Sequence, residues 1–284
     1  VNLVFKGDAL DFDEDGFYAT LLDLHRRRKI RIEPRDERLI IRILDEDLED
    51  LDVYEKRVLK VLKSLSRENV LDTGRLDDLI DEIKGDRKRA AKLAKDIRWV
   101  TKAPSRRPAL SLIVSGRRRI APFTLLAATL FFVSLAFTQI LPYFPSITAQ
   151  ILMGSMTFLI QSLVAVAAPS TLFGRWRGST YREKLEWDAF KKFLSDLALI
   201  KRYAPQDISI WGEWLIYGTA LGVGDKVVKA MNELNISLRE ASIAAEMPRA
   251  FTPIMAITST RAGGGGGGGF GAGGGFGGGG AGAR

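Results

Sequence analysis

Residues 120–173 contain no Asp, Glu, Lys or Arg, an uninterrupted run of 54 positions. Nothing else in the sequence restricts the fold so tightly. A helix needs about 20 apolar residues to cross the hydrocarbon core of a bilayer, and the run supplies two such stretches, Ile120–Leu141 and Ile147–Ala168. Between them lies Pro142-Tyr143-Phe144-Pro145-Ser146. Two prolines so close together end one helix and restart the next. The alternative is a helical hairpin buried in a large soluble core, but soluble cores seldom supply two adjacent charge-free runs of this length. The sequence therefore predicts a transmembrane hairpin. Arg117, Arg118 and Arg119 precede it, and Arg175 and Arg177 follow it. Lys and Arg mark the cytoplasmic end of short-looped spans. The expectation is a multi-pass protein of the cell membrane with both termini cytoplasmic. Gln150 and Gln161 share one helical face; they either sit near the interface or between the two helices, or hydrogen-bond another span, which would allow a homo-oligomer. No ionisable residue lies within the spans, which argues against an ion pathway.

Split by segment, the net charge of +8 has a clear pattern. Residues 1–83 carry 15 basic and 22 acidic side chains, and residues 84–119 carry 13 and 2. Residues 174–202 carry 8 and 4, and residues 203–284 carry 6 of each. The basic excess brackets the apolar run, and an acidic lobe precedes it. There is no Cys, which excludes disulfides, thiolate metal sites and cysteine nucleophiles. His25 is the single His, which leaves little room for triad chemistry or a His-rich metal centre. No catalytic, cofactor-binding or metal-binding residue is assigned, and the expectation is a protein without enzymatic activity. Val1–Ala9 is too short and too mixed for the apolar region of a signal peptide.

The first 103 residues read as an α+β lobe. Phe12–Lys29 is predicted as a helix, capped by Asp11 or Asp13, with Phe17, Leu21 and Leu24 on its inner face. Ile30 and Ile32, then Leu39, Ile41 and Ile43, alternate around a turn at Pro34–Glu37, which predicts a β-hairpin. Further helices are expected over Asp52–Leu65, after Asp72–Thr73 and from Asp86. Helix followed by hairpin is the order of the third helix and wing of a winged helix. With that helix placed at the recognition position, its Asp13, Glu14, Asp15 and Asp23 oppose phosphate binding, so nucleic acid is not the expected partner. The helix from Asp86 differs. Lys88, Lys92 and Lys95 share one face shortly before the first span, and such a segment gains about 1 kcal/mol per cation at an anionic leaflet. Anionic lipids are therefore one expected partner.

After the hairpin, Thr180–Ile200 reads as an amphipathic helix with Trp187 and Phe190 on its apolar side. A second helix holds Trp211, Trp214 and Tyr217. These five aromatics are candidate interaction residues, either in the membrane interface or as the core of a small bundle. Glu213 has no partner that the sequence identifies for catalysis. The tail, Arg261–Arg284, is Gly-rich and is expected to be a flexible string.

Three segments carry a resemblance. They are Ala19-Thr20-Leu21-Leu22-Asp23-Leu24 with the basic run after it, Trp187–Asp196, and Ile210–Val223, followed by the poly-Gly end. Together they resemble the C-terminal part of predicted membrane proteins labelled domain of unknown function 2207. The resemblance implies an integral membrane protein of archaea or bacteria with no established activity, and no catalytic residue carries over.

The expected fold is a mainly α membrane protein. Its parts are a cytoplasmic winged-helix-like α+β lobe (1–103), a basic linker (104–119) and a two-helix transmembrane hairpin (120–168, with spans 120–141 and 147–168). A cytoplasmic amphipathic helical module (174–258) and a disordered Gly-rich tail (259–284) follow. The expected role is a membrane-anchored scaffold or regulator that presents interaction modules to an unknown protein partner. The alternative is a membrane-tethered winged-helix nucleic-acid-binding regulator.

Overall fold

The computed structural model describes residues 1–259 except 8, 45–48, 85, 103, 105–106, 141–144, 169–171 and 204–206. The Gly-rich tail, the turn at Pro142–Phe144 and Pro205 lie outside the described residues.

A short buried helix α1 (Asn2–Phe5) precedes α2 (Glu14–Arg26). The Asp13 carboxylate caps α2 by accepting from the Asp15 N–H at 3.2 Å, so the helix begins two residues later than the apolar pattern suggests. It ends where Arg28 takes a left-handed φ of 58° and the Lys29 N–H returns to the Leu24 carbonyl at 2.9 Å. Strands β1 (Ile30–Arg35) and β2 (Arg38–Ile43) form the expected hairpin, with Ile30 opposite Ile43 and Arg35 opposite Arg38. The turn is tighter than predicted. Asp36 and Glu37 alone form it, at φ of 47° and 63°. Ile30, Ile32, Leu39 and Ile41 point inward and are fully buried. The lone histidine, His25, is structural, since its Nδ1 accepts the Ile32 N–H at 3.2 Å and ties α2 to β1.

Helix α3 (Val53–Leu65) opens on a capping box in which Asp52 and Glu55 satisfy each other's backbone N–H groups. A third strand, β3 (Val70–Asp72), pairs antiparallel with β2, giving the sheet order β1-β2-β3. The sequence suggests only a helix cap in this segment, because three residues carry too little alternation to announce a strand. Asp72 does cap the 3₁₀ turn Thr73–Arg75, and α4 (Leu76–Lys84) follows. Asp86 caps α5 (Arg87–Thr101) through the Lys88 and Arg89 N–H groups.

Helix α6 (Arg107–Leu112) leads into β4 (Ile113–Val114), which pairs with β5 (Arg175–Trp176). That two-stranded clasp closes the base of a long helical hairpin, α7 (Gly116–Ile140) and α8 (Pro145–Ala167). Arg117–Arg119 belong to α7, since arginine continues a helix readily. The hairpin is joined by a Ser134–Ser155 hydroxyl bond of 2.7 Å. Only 11% and 6% of the two apolar windows are buried. A soluble core would bury such helices, so the exposed apolar faces favour the spanning reading. Gln150 and Gln161 are both exposed.

Six described helices follow β5, the first five being α9 (Thr180–Ser195), α10 (Leu197–Tyr203), α11 (Ile208–Ala220), α12 (Gly224–Glu233) and α13 (Arg239–Ala250). The last described helix, α14 (Thr252–Ser259), packs on α4 and α5. The sequence divides 1–103 and 174–258 into separate modules, but in the structure they share one hydrophobic core. Helix α11 packs along α2, and α13 lies against β1 and β2. Phe251 meets Phe17 edge to face at 5.3 Å, and the Asn2 amide donates to the Ala220 carbonyl at 2.9 Å. The sheet and α2 are thus covered in part by helices that follow the hairpin. The hairpin therefore interrupts a single extramembrane lobe.

Candidate functional site

The sequence-predicted residues fall into three places. Arg117, Arg118, Arg119, Arg175 and Arg177 are exposed at the base of the membrane hairpin, beside the β4–β5 clasp. Lys88, Lys92 and Lys95 are exposed on α5, together with Arg87, Arg89 and Arg98, and none of these six side chains forms an ion pair among the described residues. The aromatics divide. Trp211 is only 1% exposed and belongs to the core. Trp187, Phe190, Trp214 and Tyr217 reach the surface and line one open cavity of about 400 Å³.

That cavity is built from two helices in the same way. On α9 the sequence reads Glu186-Trp187-Asp188-Ala189-Phe190, and on α11 it reads Glu213-Trp214-Leu215-Ile216-Tyr217. Both are Glu-Trp-x-x-aromatic. Residues three and four apart are neighbours on a helix, so the last ring of each motif lies beside both its Trp and its Glu. Six residues line the cavity, and they are the two copies of the motif. Trp187 contacts Tyr217 at 5.4 Å and Phe190 at 6.1 Å between ring centroids. Trp214 is held from behind by Phe193 at 5.1 Å and Trp211 at 5.2 Å. The repeated pattern is the signal in the sequence that points here. Glu213 taken alone, as an acid without a partner, does not reveal it.

Both carboxylates are anchored on one oxygen. Glu213 Oε1 accepts from Arg26 on α2 at 2.7 Å, and Glu186 Oε1 accepts from Arg182 at 3.0 Å. The hydrogen bond that Arg26 donates to Glu213 is the main cause that raises its guanidinium above the ordinary pKa, and the nearby Asp23 carboxylate adds to it. Tyr217 and Glu213 also border a second cavity of about 610 Å³, whose walls include Phe12, Tyr54, Trp99, Leu112 and Ile216. Among the described residues, no three His, Asp or Glu side chains gather as a metal site requires.

Residues 1–231 match the family described as predicted membrane protein (DUF2207) C-terminal domain. The chain belongs to that family. No curated protein and no solved structure matches it. Membership and the two exposed apolar helices together make this DUF2207 chain a membrane protein. The match runs through both spans and both Glu-Trp motifs, so the aromatic cavity lies wholly within the family's matched region.

Proposed function

We propose that this DUF2207 protein is a non-catalytic, membrane-anchored scaffold or regulator. It presents one rigid cytoplasmic lobe to a protein partner. The observation that carries this reading is the attachment of the lobe: both ends of the hairpin leave through the β4–β5 clasp, so a single packed body is held at the membrane. The arginines beside the clasp support a cytoplasmic orientation. The exposed cations of α5, Lys88, Lys92 and Lys95 among them, suit contact with an anionic leaflet. Crosslinking of the intact protein in its native membrane, followed by identification of what is captured, tests the role. Reproducible capture of a defined protein is the expected result, and its absence under several crosslinker lengths would sink the reading.

A second reading, a membrane-tethered winged-helix nucleic-acid-binding regulator, is favoured by the strand order. From α3 onward the chain runs helix, strand, helix, helix, and β3 pairs with the second strand of the hairpin. That is the order of a winged helix whose wing precedes its helices. In that order the recognition position passes from α2, which is acidic, to α5, which carries six exposed cations. Acidic α4, with Asp77, Asp78, Asp81 and Glu82, stands beside it and opposes phosphate. Duplex titration at several salt concentrations separates the two readings: a steep salt slope with measurable affinity supports the second.

A further inference from the structure

We infer that the cavity between α9 and α11 is a binding site for an alkylated ammonium cation, a role that goes beyond the scaffold reading and stands without it. Its lining is the basis. Four aromatic rings and two carboxylates form the whole of it: Trp187, Phe190, Trp214 and Tyr217 with Glu186 and Glu213. The π-faces of Trp, Tyr and Phe attract a cation through the ring quadrupole, and Trp does so most strongly. Each carboxylate commits Oε1 to an arginine, and its Oε2 makes no hydrogen bond among the described residues. Each carboxylate of the lining therefore keeps one oxygen uncommitted, beside the arginine that holds the other. A bare ammonium carries three or more N–H donors to satisfy, and a lining of four rings and two half-committed carboxylates offers it few acceptors. An alkylated ammonium is weakly hydrated and offers methyl groups to the rings while keeping its charge. The chemistry of the lining selects that combination.

The position favours a headgroup at the membrane surface. Trp187 stacks on Phe5 at 5.8 Å, and Phe5 stacks on Trp176 of β5 at 6.4 Å. Two ring contacts thus separate the cavity from the clasp that closes the membrane hairpin. The cavity of about 610 Å³, lined by apolar residues together with Asp23, Arg26, Asp52 and Glu55, adjoins it across Glu213 and Tyr217.

The test uses the full chain, solubilised in a maltoside detergent and titrated with choline. A parallel titration uses 3,3-dimethylbutanol, the neutral isostere. Calorimetry gives the affinity, and the indole N–H resonances of Trp187 and Trp214 report the place. Choline is expected to bind at least about tenfold more tightly than the isostere, as cation–π attraction requires, and to move both resonances. The pair Glu186→Gln and Glu213→Gln is expected to weaken choline several-fold with the thermal midpoint unchanged, since both residues are exposed. Equal binding of choline and isostere would overturn the inference, as would unmoved indole resonances. In nanodiscs, competition by phosphatidylcholine but not phosphatidylglycerol places the cation on a lipid. Equal choline binding in both places it on a free solute, and either result supports the site.

Discussion

Phe17 of α2 and Phe251, at the end of α13, meet edge to face at 5.3 Å although the entire membrane hairpin lies between them in the chain. Both are fully buried. Phe251 also touches Tyr18, at 6.2 Å. Phe251→Ala is expected to cost about 3–5 kcal/mol, the usual range for removing a buried ring. Amide exchange of α2 in the detergent-solubilised protein checks it. Faster exchange in α2 is expected, although the substitution sits near the other end of the chain. Unchanged α2 protection would mean that the two halves fold independently.

Gly116, at the entry to α7, packs against backbone. A β-carbon there would come within 2.6 Å of the Gly174 nitrogen and the Phe173 carbonyl carbon. Backbone cannot step aside as a flexible side chain does. Gly116→Ala is therefore expected to cost about 1–3 kcal/mol, as overpacking does, and to part β4 from β5. Spin-label distances between Ser111 and Arg177, both exposed, would lengthen. A wild-type distance distribution would refute the prediction.

Tyr54 and Tyr18 set an alkaline limit. Burial pushes both phenols well above the ordinary tyrosine value, with nearby carboxylates adding to it: Asp52 for Tyr54, and Glu14 and Asp15 for Tyr18. The folded state then holds phenolic protons that the unfolded state releases above about pH 10. Stability is fully present below that pH and is lost as pH rises toward the folded-state values. Denaturant midpoints should be flat up to about pH 9 and fall beyond it. Tyrosinate absorbance should report two phenols that ionise only on unfolding. Titration of all tyrosines with ordinary values would contradict this.

The lysines of α5 are exposed and their replacement leaves the core untouched. Substituting Lys88, Lys92 and Lys95 with Gln is expected to weaken binding to anionic vesicles by about 1 kcal/mol per residue and to reduce its salt dependence. Thermal stability should stay within about 0.5 kcal/mol of wild type. Vesicle flotation across a salt series measures the first, and a melting curve measures the second. Unchanged flotation would remove α5 from the membrane-contact surface.

How far the sequence is legible depends on the reach of each signal. The two spans, the helix starts near Asp13, Asp52 and Asp86 and the hairpin over residues 30–43 are readable because each depends on neighbours within a few turns. Strand β3 is not, because its identity comes from pairing with β2, and Val70–Asp72 is too short to show a period. The fates of Trp211 and Trp214 are not separable either. They are three residues apart in one apolar helix, and only the neighbours of α11 decide that one is core and the other a cavity wall. The two Glu-Trp motifs are visible as letters, but nothing local says that α9 and α11 bring them together.

By itself, then, the amino-acid sequence determined the membrane hairpin, the basic flanks and most helix starts. These follow from the energy of placing a charge in hydrocarbon and from hydrogen bonds that close within one turn. Only the tertiary structure decided that the segments on either side of the hairpin are one body, and that two carboxylates and four rings converge on one cavity. Apolar burial has no direction. The faces of α2, α11, α13 and the sheet are each apolar enough to pack on many surfaces, and which ones meet is settled only when the whole core closes.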